Sequence, residues 1–133
     1  MKIAVDANVL LRFLVRDDPE QAGIARSELD RAERLLFPTA VLLEVVWVLG
    51  RRYGLNKSDI AARLRELTEV ENADFDRPAI EAGLSVLEAG GDFADGVIAR
   101  QARDLGADVL VTFDRKAVAH LTALGMATRL ARA

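Results

Sequence analysis

The 133-residue sequence has no cysteine, one histidine (His120), three prolines and 5% aromatic residues. Without cysteine there is no disulfide framework, thiolate zinc site, iron–sulfur cluster or cysteine nucleophile. A single histidine removes any mechanism built on a histidine pair and leaves a Ser-His-Asp triad resting on one unsupported residue. Long apolar runs are also missing. The stretch after the first strand is cut by Asp6, Arg12 and Arg16, so neither a secretory segment nor a membrane span can be drawn, and a cytoplasmic protein is expected. Low-complexity tracts, a visible linker and internal repeats are absent. Neither charge sign dominates: 18 Lys and Arg against 21 Asp and Glu give a net charge of −3, without the broad basic footprint of a general nucleic-acid binder. What is present is 51% hydrophobic content, sufficient for one domain over residues 1–133 that buries roughly two thirds of its unfolded surface. Carboxylates remain as the abundant chemical groups.

Local pattern predicts alternating strands and helices. A β-branched run at 2–5 ends in Asp6, and apolar residues at helical spacing follow from 8 to 16. Asp17-Asp18-Pro19 stops that helix and starts another over 19–34, with Ala22, Ile24, Ala25 and Leu29 on its apolar side. A short strand is expected at 35–37, then a helix over 39–53, because that segment is too long and too uniformly apolar for an alternating strand. Further helices are predicted over 56–69, 78–89, 92–105 and 115–124. Strands are expected at 69–72, at 108–113 (DVLVTF, the clearest interior strand) and at 126–130, an edge strand. Strands separated by helices of this length imply crossovers and a three-layer α/β/α sandwich with a mainly parallel central sheet of four to five strands. Ligands in such sheets sit beyond the carboxyl ends of the strands.

Acids fall at those ends. Asp6 terminates the first strand and Asp114 follows the strand at 108–113; taken singly, each also suits a helix cap. Asp92 and Asp95, three apart at a helix start, share one face, where the helix dipole favours acids. Glu44 stands in the run VLLEVVWVL with apolar residues at i−3, i+3 and i+4. In such surroundings its charge calls for an arginine such as Arg12 or Arg16, or for a metal. Four elements of an α/β sandwich can bring these acids to one sheet edge, where a divalent ion relieves their repulsion. Oxygen ligands without His or Cys favour Mg²⁺ or Mn²⁺, and carboxylate, metal and phosphate together make the chemistry of phosphodiester cleavage.

These residues resemble the PIN-domain ribonucleases, and within them the VapC-type toxins of toxin–antitoxin pairs. VDANVL at 5–10 is similar to the family's opening strand, with metal-binding Asp6 and nearby Asn8. In TAVLLEVVWVL at 39–49, Glu44 falls on the acidic helix position and Thr39 on an upstream hydroxyl. DFAD at 92–95 supplies Asp95 as third acid and Asp92 as an accessory one; VTFD at 111–114 supplies Asp114 as the last, beside Thr112. Gly96 departs from the alanine more usual in the family, and Phe113 from a polar residue. The resemblance implies single-stranded or structured RNA as substrate, hydrolysed by metal-activated water to leave a 5′-phosphate. It also implies a homodimer and a cognate VapB-like antitoxin whose peptide blocks the active-site groove.

Phosphate contact must come from local cations: Arg115 and Lys116 beside Asp114 are nearest, then Arg12 and Arg16. Phe13, Leu14 and Trp47 suit a partner groove or the core, and His120 reads as an ordinary helix residue. Two other readings compete. A phosphoacceptor receiver domain would use Thr112 and Lys116 as switch residues, but it needs paired acids after its first strand, and here Asp6 is followed by Ala7 and Asn8. A catalytically silent PIN-like binding module would keep the fold without the metal.

Overall fold

The computed structural model describes residues 1–132. Their contacts divide the chain into two compact units, Met1–Asp76 and Arg77–Ala133.

The N-terminal unit begins with strand β1 (Lys2–Ala4), helices α1 (Ala7–Val15) and α2 (Pro19–Arg31), and β2 (Arg34–Leu36). Helices α3 (Thr39–Arg51) and α4 (Lys57–Thr68) then lead to β3 (Ala73–Asp74). β1 pairs with β2 in parallel, Ile3 opposite Leu35, and β2 pairs with β3 in parallel, Leu35 opposite Ala73. Parallel neighbours cannot be joined by a tight turn, and each pair here is spanned by two helices. Local signals set the helix limits. Asp6, Asp18 and Asn56 each accept a backbone N–H of the following first turn, and Pro19 occupies the opening position of α2. Arg16 closes α1 in the left-handed region at φ 59°, and Gly54, past α3, takes φ 66°, where a side chain would be strained. Leu10, Leu14, Leu35, Leu42, Val45, Leu49 and Leu64 are fully buried as α1 packs on α2 and α3, and α3 on α4.

In the C-terminal unit, α5 (Arg77–Glu88) and α6 (Phe93–Asp104) pair closely; β4 (Leu110–Thr112), α7 (Arg115–Ala123) and β5 (Thr128–Leu130) follow. β4 and β5 run parallel, Val111 opposite Arg129, with α7 as their crossover. The α5–α6 approach depends on two glycines. A Cβ on Gly96 would stand 2.5 Å from the Ala82 carbonyl oxygen, and one on Gly83 would stand 2.7 Å from Val97. The glycine at 96 is therefore required by the backbone of α5 facing it.

The α/β class with parallel pairing and helical crossovers agrees with the sequence, but among the described residues the five strands form a three-stranded and a two-stranded sheet. Three local expectations change. The strand expected at 69–72 lies at Ala73–Asp74, because its place is set by pairing with β2, reinforced when Arg34 Nε donates to Asp74 at 3.0 Å. The strand at 108–113 is shorter and not interior: Val111 is 46% exposed. On α2, Ala25 and Leu29 are buried whereas Ile24 is 58% exposed. Among the described residues, no helix is long and apolar enough to cross a membrane.

Candidate active site

Three of the predicted acids lie at the starts of two packed helices, α6 and α7, in the C-terminal unit. Asp92 caps α6, its Oδ1 accepting from the Ala94 N–H at 3.0 Å, and Asp95 lies in the first turn of the same helix. Asp114 caps α7, its Oδ1 accepting from Lys116 and Ala117 at 2.8 and 3.2 Å. Thr112 Oγ1 accepts the Asp114 N–H at 3.0 Å, which fixes the turn leaving β4. Partial burial raises the Asp95 carboxyl above its ordinary value, and the charges of Asp92 and then Asp114 add to this, against an opposing contribution from His120. Asp95 forms no ion pair among the described residues.

His120 belongs to this neighbourhood, although the sequence marks it only as a helix residue. Its Nδ1 lies 2.9 Å from the Lys116 carbonyl oxygen, and its ring rests on Gly91, where a Cβ would come within 3.0 Å of it. Gly91 immediately precedes the Asp92 cap. The pairing of a lone histidine with a Gly-Gly break before an acidic helix start was the available signal, but their contact is tertiary.

In the N-terminal unit, Asp6 caps α1 through a 3.0 Å contact from the Val9 N–H to its Oδ1, and exposed Asn8 sits in the turn it caps. For Asp6, Asp92 and Asp114 alike, capping uses Oδ1 and leaves Oδ2 without a hydrogen bond among the described residues. Capping and ligation therefore do not compete for the same atom.

Glu44 corrects the sequence argument. It is exposed on α3, since Leu42, Val45 and Leu49 form the buried side and Trp47 is itself 63% exposed, with Arg51 5.8 Å from its ring centre. Its charge stays in water and needs no compensating arginine. Arg12 instead pairs with Asp17 at 3.2 Å, and Arg16 donates to the Phe13 carbonyl oxygen at 3.0 Å. Thr39 opens α3. Leu14 is core and Phe13 half-buried. Arg115 and Lys116 are exposed and make no ion pair among the described residues.

These donors suit a hard divalent cation in chemistry and charge: all are carboxylate, hydroxyl or amide oxygens, and the charges of Asp92 and Asp114 both oppose ionisation of Asp95. Among the described residues, no three Asp, Glu or His side chains are close enough to form a metal site by themselves. A groove of about 700 Å³ in the C-terminal unit, lined by Glu81, Arg100, Arg103, Asp108 and Met126 among others, includes none of the three acids. Its concavity is not matched by the chemistry found around Asp95.

No curated protein matches the chain. The PIN domain family does, over residues 3–122, a span that includes all the acids discussed above. The chain belongs to the PIN-domain family, whose members are generally nucleases that use divalent metals.

Proposed function

We propose that this PIN-domain protein is an endoribonuclease dependent on Mg²⁺ or Mn²⁺. The carrying observation is the placing of Asp92, Asp95 and Asp114 at the N-termini of two packed helices, with the Asp95 carboxyl raised by burial and by its neighbours' charge. Acids so placed gain most from a cation, and without one their repulsion favours separation over a closed ligand set. Asp6, Glu44, Asp95 and Asp114 are the proposed ligands, with Asn8, Thr39, Asp92 and Thr112 as accessory polar groups. When bound, the ion supplies charge neutralisation and an acidified water for attack on a phosphodiester.

The chain's own residues have separable tasks. Each capping aspartate is held by its helix through Oδ1 and offers Oδ2. Thr112 fixes the Asp114 backbone, and Arg115 and Lys116 supply cations for substrate phosphates. Arg12 and Arg16 are weaker candidates because both are engaged within the N-terminal unit.

Membership in the PIN family removes the basis for the receiver-domain reading. The finer role proposed is that of a toxin in a type II toxin–antitoxin module: a cytoplasmic homodimer restrained by a VapB-like peptide in its groove. The resemblance of the four acidic motifs to VapC-type toxins supports it.

The test incubates purified protein with single-stranded and structured RNAs in Mg²⁺ or Mn²⁺, and again with chelator. Cleavage is expected only with metal. Asp6→Asn and Glu44→Gln should each lower it about 100-fold or more while the circular dichroism spectrum is preserved. Cleavage by both variants at the wild-type rate would overturn the site, and a metal-binding wild type that cuts no RNA would favour the silent module.

A further inference from the structure

Phe113 is 88% exposed, placed between Thr112 and Asp114 and followed by Arg115 and Lys116. The hydrogen bond from the Asp114 N–H to Thr112 Oγ1 and the two N–H contacts to Asp114 Oδ1 hold the backbone on both sides of the ring. An aromatic side chain so exposed forgoes the burial that normally favours it. Here it stands on a fixed turn, beside a proposed metal ligand and two exposed cations that make no ion pair among the described residues. An aromatic face for a base with adjacent cations for the phosphate is the minimal chemistry of single-strand nucleic-acid binding. A paired base offers no free face, and a net charge of −3 gives no general attraction to duplex phosphates.

We infer that Phe113 is a stacking platform for one unpaired base of the RNA substrate, next to the bond that is cut, with Arg115 and Lys116 on the flanking phosphates. Phe113 and Asp114 are chain neighbours, with Cα atoms about 3.8 Å apart, which keeps the ring on the same turn as the proposed metal ligand. This selects unpaired segments over helical ones without reading sequence, because every base has a face to stack. The inference rests on the nuclease reading above and narrows its substrate class.

The experiment follows the fluorescence of a single-stranded RNA carrying 2-aminopurine, and of the same strand in a duplex, titrated with the full chain under chelator. Cleavage of the single strand in Mn²⁺ is measured in parallel. Wild type should quench and bind the single strand, and duplex binding should be weaker. Phe113→Trp should retain binding, while Phe113→Ala and Phe113→Leu should each weaken it about 10-fold or more and raise KM by a similar factor, with kcat little changed. Mn²⁺ affinity should not move. A Phe113→Leu variant that binds and cuts like wild type overturns the platform and leaves the nuclease intact. So does a Phe113→Ala variant that loses self-association but keeps RNA binding, which would assign the ring to a second copy of the chain. A wild type that neither binds nor cuts any RNA overturns both readings.

Discussion

The two units use the same residue type in different electrostatic settings. In Met1–Asp76, Asp6 caps α1 at the surface and Glu44 projects into solvent from the middle of α3, without an ion pair among the described residues. In Arg77–Ala133, two capping aspartates bear on a third, half-buried carboxyl whose ionisation they oppose. A carboxylate in water is nearly neutral for folding, whereas one beside two like charges is held against a cost. The C-terminal acids are therefore tied to the stability of their own unit, and Glu44 is free of its unit's stability. A residue of the second kind is available for function without a structural role to protect.

The largest structural effect expected is at Gly96, next to Asp95. Gly96→Ala places a methyl group against the Ala82 carbonyl, and the α5–α6 pair has no slack to admit it. A loss of about 1–3 kcal/mol is expected in urea unfolding, with the α6 start displaced. Wild-type stability in this variant would show that the helices can separate, and that the acid cluster is less rigidly placed than described.

How far the sequence reached explains where such sensitivity lies. Helices and caps were legible because they depend on near neighbours: Asp18-Pro19, Asn56, Asp92 and Asp114 announce their helix starts in the chain itself. β3 was misplaced because a two-residue strand is defined by its partner β2 and not by its own pattern. Glu44 and Ile24 are exposed despite their apolar chain neighbours, because helical spacing shows that a face exists and not what covers it. The Asp92–Asp95 pair was visible as a spacing of three. Its coupling to Asp114 and His120 was not, since it requires α6 and α7 to meet.

A smaller effect separates Asp95 from an ordinary surface acid. Its carboxyl is raised in the folded chain, so the associated stability is fully present below the unfolded carboxylate range. That stability is lost as pH rises through the raised folded value. Asp95→Asn cannot ionise and should melt higher than wild type at neutral pH, by the order of one to a few °C. The two melting curves should converge as pH falls below the usual carboxylate range. A variant that melts lower at neutral pH would show that Asp95 is stabilised by its surroundings instead.

The smallest effect is expected at Glu44. Because that side chain is exposed without an ion pair among the described residues, Glu44→Gln should change stability by less than about 0.5 kcal/mol, measured by the same unfolding transition. A larger loss would mean that Glu44 has a structural partner, and the contrast between the units would fail.

The most direct test of the proposed metal chemistry is calorimetric titration of the full chain with Mn²⁺ near neutral pH, on wild type and on Asp6→Asn, Glu44→Gln, Asp95→Asn and Asp114→Asn. Saturable binding by wild type, weakened about 10-fold or more in each variant, is the predicted result. Absence of binding, or equal binding by all five proteins, would contradict a cation held by these four carboxylates.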